Sequence, residues 1–174
     1  MVEGALSGLF GLFTQGRGLT VAQTADLLAL FGVGGLLLQY PVGWLADHRG
    51  VGRAAILCAL GTAGTALLLA WSQDYALAMI AVFLLGGFMT AFLTLAIVAS
   101  TMTTGGNMAQ NVSVISMVYS GTAVVGPLIA GATMVATRPD ALMVFTAILA
   151  LSMAGALAWT VLRWPGRVVG TNVH

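Results

Sequence analysis

Gly43-Trp44-Leu45-Ala46-Asp47-His48-Arg49-Gly50-Val51-Gly52-Arg53 is a dense cluster of charge in a chain that is 6% charged and 59% hydrophobic. A long apolar run enters this stretch and another leaves it. A Gly-rich turn bearing Asp, His and two Arg therefore joins two membrane-length segments. Such a turn does not belong in hydrocarbon, where an Asp or Arg at a helix centre is disfavoured by about 2.5–3.5 kcal/mol on insertion scales. It belongs at a membrane surface, and its positive charge points to the cytoplasmic one.

The composition agrees. Mean hydropathy is +1.01. There is no Lys, and 6 Arg and 5 acidic residues are too few to cover a water-facing globule of 174 residues. The chain reads as an all-α integral membrane protein. Its 23 Gly suit close helix packing in lipid. A net charge of +1 gives no basic footprint, so no nucleic acid is expected as a partner. Cys58 lies inside an apolar run and is the sole cysteine, which excludes an intrachain disulfide. Met1-Val2-Glu3 has no basic character, so no cleavable signal peptide is expected.

A bilayer takes about 20 apolar residues per helix, which divides the chain as one transmembrane domain over residues 1–174. The first apolar run, 4–16, is too short to span and reads as a partial helix, with Gly4, Gly8 and Gly11 on one side. Gln15 to Leu19 form a tight turn. Thr20-Val21-Ala22-Gln23 fits a capping box for a helix over 20–46. Further helices are expected over 54–71, 76–100, 110–136 and 141–162, with a tail at 163–174. Gly126 and Pro127 should kink the fifth, since proline removes a backbone donor.

The opening stretch resembles the loop signature G-x-x-x-D-[RK]-x-G-x-[RK]-[RK] of the major facilitator superfamily of secondary transporters. Gly43, Asp47, Gly50 and Arg53 match it. His48 stands in place of the first basic residue and Gly52 in place of the second. Glu3-Gly4-Ala5, Gly18-Leu19-Thr20 and Gly34 through Gly43 resemble helices 7 and 8 of bacterial efflux-type members. Tyr119 through Gly131 resemble helix 11. The resemblance implies the C-terminal six-helix half of the fold, helices 7–12, with the first helix truncated. It implies alternating access, proton-coupled secondary transport of a small solute, and an N-terminal six-helix half as partner.

The resemblance also implies roles for individual residues. Asp47 would latch the cytoplasmic face by docking on a helix start in the other half, with Gly43, Arg49, Gly50 and Arg53 completing the latch. Glu3 is a candidate for proton coupling or cation binding, because an intramembrane carboxylate is a functional candidate by default. Gln39, Tyr40, Thr90, Thr94 and Tyr119, with Ser116, Ser120 and Thr122, are polar groups in apolar helices and candidates for a solute site. Interhelical hydrogen bonding, at about 0.6 kcal/mol each, is the plainer role for any one of them.

No His pair, Gly-x-Ser-x-Gly or metal-ligand spacing occurs, so neither an enzyme, a metal nor a cofactor is expected. The competing function is a stand-alone multi-span protein that acts as an accessory or scaffold for other membrane chains. Arg49, Arg53, Arg163 and Arg167 fall on one face and Arg17 and Arg138 on the other, so the positive-inside rule puts the C-terminus in the cytoplasm of a bacterial cell. Cysteines introduced singly at positions 17 and 138 should react with an impermeant thiol reagent on intact cells, and those at 49 and 167 should not. The opposite pattern would reject this orientation.

Overall fold

The computed structural model describes residues 11, 14–72, 74–101, 113, 117 and 141–163. The expected partial first helix and fifth span lie largely outside these residues. Four long helices are described: α1 over Val21–Arg49, α2 over Val51–Trp71, α3 over Tyr75–Thr101 and α4 over Ala141–Arg163. The described residues form no strand, and α1, α2 and most of α3 are long and apolar enough to cross a membrane. At 1.5 Å per residue, the 21 residues of α2 span about 31 Å, close to the thickness of a hydrocarbon core.

Helix ends follow from local chemistry. Residues 14–16 are helical, and the Gly18 N–H bonds to the Gln15 carbonyl and the Leu19 N–H to the Thr14 carbonyl. That pairing is a Schellman ending, and Gly18 occupies its left-handed position at φ 72°. Thr20 and Gln23 then form the expected reciprocal capping box. The charged stretch departs from expectation. The sequence predicts a turn from 47 to 53, yet α1 continues through Asp47, His48 and Arg49, and α2 begins at Val51. Gly50, at φ 88°, is the single non-helical residue between them. The dipole explains part of this, since His48 and Arg49 place cationic or cation-forming groups in the last turn of α1.

The helices are apolar on every side, so hydrophobic periodicity cannot select a packing face. Residue size does. The buried set is dominated by alanine: Ala54, Ala59, Ala63, Ala66, Ala81 and Ala147 are all nearly inaccessible. Many large side chains point outward, with Leu36 74% and Tyr40 82% exposed, while a few, among them Leu27, Leu69, Leu85 and Met143, are buried. Small-inside, large-outside packing suits lipid, where burying leucine gains little and close backbone approach gains dispersion.

Two buried clusters sit at opposite ends. One joins Leu27 of α1, Ala66 and Leu69 of α2, Ala81 and Leu85 of α3, and Met143 and Ala147 of α4. The other joins Val42 and Ala46, Ala54 and Cys58, and Ala91 and Leu95, with Leu157 packed against it. This order makes α1, α3 and α4 parallel to one another and α2 antiparallel. Trp71 lies exposed near the first cluster, and Trp44 and Trp159 lie exposed toward the second. Aromatic residues thus mark both levels at which an interfacial belt would lie.

Among the described helices the α1–α3 contact is the most extensive, and α1 touches α2 far less. It rests on a repeated pattern, Phe31-Gly32-Val33-Gly34-Gly35 and Phe83-Leu84-Leu85-Gly86-Gly87. A Cβ on Gly34 would strike the Phe83 carbonyl, and a Cβ on Gly86 would strike the Phe31 carbonyl. A Cβ on Gly35 would lie 2.8 Å from Thr90 Oγ1. The two backbones meet with only glycine hydrogens between them. Gly34→Ala should therefore force the helices apart and destabilise the protein by about 1–3 kcal/mol, as overpacking does. Gly64→Ala is the control, since a Cβ there meets nothing within 4 Å. Unfolding in mixed detergent micelles should show the loss for Gly34→Ala and none for Gly64→Ala.

Candidate functional site

The charged junction is compact because one residue separates two helices. Asp47, His48 and Arg49 are exposed in the last turn of α1, and Arg53 is exposed in the first turn of α2. Gly50 closes the turn by donating its N–H to the Ala46 carbonyl at 2.9 Å. Its positive φ favours glycine over any residue with a Cβ. Gly52 is buried, so the second glycine of the turn lies against the fold. Gly43 has open space where a Cβ would stand. Among the described residues nothing around it requires a glycine.

Asp47 occupies an electrostatically poor position. The C-terminal end of a helix carries partial negative charge, which disfavours a carboxylate. Arg49 and Arg53 supply nearby positive charge in the sequence. Trp44 and His48 sit one turn apart on the same helix, with ring centroids 4.3 Å apart and ring planes inclined by 31°. His48 Nδ1 lies 2.8 Å from the Trp44 carbonyl oxygen.

The opposite end of the bundle is held by Arg17. Its guanidinium donates to the Ser72 carbonyl at 2.7 Å and to the Ala70 carbonyl at 2.5 Å. These carbonyls belong to the C-terminal end of α2, where backbone acceptors lack helical partners. The cation therefore caps a helix more than fifty residues further along the chain. Thr14 is buried beside it, donates to the Gly11 carbonyl and accepts from the Thr24 hydroxyl at 2.9 Å. Asp74 caps α3 by accepting from the Ala76 N–H at 3.1 Å.

The candidate solute-site residues fall into two groups. Gln39 and Tyr40 are exposed on α1, inside the span. Thr94 is exposed on α3, and its hydroxyl donates to the Thr90 carbonyl. Thr90 stands at the α1–α3 crossing and gives its hydroxyl hydrogen to the Gly86 carbonyl at 2.8 Å. Glu3, Ser116, Tyr119, Ser120, Thr122, Gly126 and Pro127 lie outside the described residues. Among the described residues no group of three or more His, Cys, Asp or Glu is placed to hold a metal ion. Cys58 is buried with a free thiol.

In sequence Arg17 marks only a membrane face, and its capping role is not visible there. The signal lay across two turns far apart in the chain, so only the folded contact reveals it. The Phe-x-x-Gly-Gly repeat is a signal that sequence does carry, readable by comparing residues 31–35 with 83–87.

Helices of membrane length, small residues inside, and a charged two-helix junction define a polytopic α-helical membrane protein. The family model of the Major Facilitator Superfamily matches residues 1–172, and the chain belongs to that family. It is thus a membrane protein of a transporter family, not of an enzyme family. No curated protein and no solved structure matches the chain.

Arg17 offers a direct test of the helix cap. Arg17→Ala should destabilise the protein by up to about 2 kcal/mol, the range for a partly buried cation at a helix C-terminus. Arg17→Lys should retain part of that, because it keeps the charge but loses the two-pronged geometry. Thermal unfolding in detergent, followed by circular dichroism, ranks the three proteins.

Proposed function

We propose that this chain is the C-terminal six-helix half of a proton-coupled secondary transporter of bacterial efflux type. It sits in the plasma membrane with the α1–α2 junction and the C-terminus in the cytoplasm. It works with an N-terminal six-helix half, and a small solute binds between the two. Alternating access about that central site moves the solute.

The observation that carries this reading is the state of α1. Its outward face presents Leu36, Leu37, Tyr40 and Trp44, and its span also exposes Gln39. An amide and a phenol within a span favour a cavity or another helix over hydrocarbon. At the end of the same helix, Asp47 is exposed where its own dipole disfavours it. A helix N-terminus in the other half would supply the missing positive partner. Such a contact stabilises by up to about 2 kcal/mol, which shifts a closed-to-open balance by roughly thirtyfold. Glu3, Thr94 and Tyr119 remain candidates for the proton or solute site, and Arg49 and Arg53 for the rest of the latch.

The test is to join the chain to an N-terminal six-helix half and reconstitute both forms in liposomes. The chain alone should show no proton-driven flux, and the joined protein should. Asp47→Asn in the joined protein should leave insertion intact, raise cytoplasmic-side labelling of a reporter cysteine in the cavity and slow turnover. Unchanged labelling and turnover would reject the latch. Absence of flux from the joined protein, together with capture of other membrane chains, would favour the accessory or scaffold reading.

A further inference from the structure

Trp44 and His48 form a contact that neither packing nor transport chemistry explains. The Trp44 carbonyl is only an acceptor, so His48 Nδ1, at 2.8 Å, must carry the hydrogen. That fixes the neutral tautomer as Nδ1–H and leaves the Nε2 lone pair available. His48 is exposed, so solvent protons can reach the ring. The ring lies 4.3 Å, centroid to centroid, from Trp44 and tilted by 31°. That is within the range at which a cation is attracted to an indole face.

We propose that the Trp44–His48 pair is a proton-operated contact that sets the charge of the α1–α2 junction and fastens the last turn of α1. In the neutral state a single hydrogen bond holds the ring. When Nε2 takes a proton from solvent, the ring becomes a cation. The same hydrogen bond then gains attraction to the indole, to the negative end of the α1 dipole and to the neighbouring Asp47 carboxylate. Arg49 on the same helix and Arg53 on α2 oppose it as like charges. The end of α3 brings no charge from Leu95 to Thr101, and α4 brings Arg163 at its last residue. With Asp47, Arg49 and Arg53 ionised, protonation raises the formal charge of residues 47–53 from +1 to +2. Histidine is the side chain that most readily exchanges a proton with water near neutrality, so protonation of this one exposed ring changes the charge of the junction.

The pair is a property of this chain's own geometry and does not depend on the transport reading. The experiment uses the full chain in lipid nanodiscs, with Trp71, Trp159 and Trp164 replaced by Phe so that emission reports Trp44. An imidazolium accepts an electron from excited indole more readily than neutral imidazole does. Emission should therefore fall as the pH is lowered from about 8 to about 5. The fall should vanish in His48→Gln and persist in His174→Gln. Flat emission in the parent, or the same fall in His48→Gln, would overturn the proposal. Two measurements avoid reliance on the Trp replacements. Nitrogen-15 NMR of the imidazole at high pH should show the Nδ1-protonated tautomer of His48; the Nε2-protonated tautomer would contradict it. Amide exchange at residues 48–50, corrected for intrinsic rates, should slow on acidification in the parent but not in Trp44→Leu. Equal behaviour of the two would rule out the fastening.

Discussion

The fold depends on the approach of two backbones. Gly34 faces the Phe83 carbonyl, and Gly86 faces the Phe31 carbonyl, one from each helix. The arrangement is locally two-fold, because the same five-residue pattern occurs on both parallel helices. Contacts of this kind bring Cα–H groups against carbonyl oxygens, and each contributes only a fraction of a strong hydrogen bond. Their larger effect is to let the surrounding side chains interlock. Leu38 reaches over Gly87, and Thr90 over Gly35. In lipid there is little hydrophobic drive between helices, so this dispersion is a main source of cohesion.

That constraint decides the rest of the bundle. α1 is committed to α3, so its remaining surface is left for something other than α2. Of the described helices it has the most exposed large side chains among its central turns, including Leu36, Leu37 and Tyr40. α2 takes the middle position instead, between α3 and α4, and its alanine-rich sequence fits there. Cys58 and Thr62 share that buried surface, with the Thr62 hydroxyl donating to the Cys58 carbonyl at 2.9 Å. A polar group inside a span thus satisfies itself on its own helix, as Thr65 and Thr90 also do.

The charged chemistry is displaced to the ends. At one end Arg17 closes the carbonyls of α2, the Thr20–Gln23 box opens α1 and Asp74 opens α3. At the other end Asp47, His48, Arg49 and Arg53 crowd around Gly50. The first end is locked by its own hydrogen bonds. The second presents exposed charge. This asymmetry follows from the burial and bonding of each group and not from net charge alone.

Membership of the membrane class, the helical fold and the capping box at Thr20 were all legible in the residues, because composition and short-range spacing dictate them. The extent of the charged turn was not. Six polar or glycine residues within 47–53 look like a loop in sequence, but the dipole and a single glycine of positive φ let helix run up to it from both sides. Nor could sequence say which face of each helix turns inward, because the helices are apolar all round and carry no periodic signal. Close packing decided that, by requiring glycine or alanine where backbones meet and admitting only a few large side chains, such as Leu27, Leu69 and Leu85, between them. The tie between Arg17 and the end of α2 likewise exists only once two distant turns are brought together, which no local pattern records.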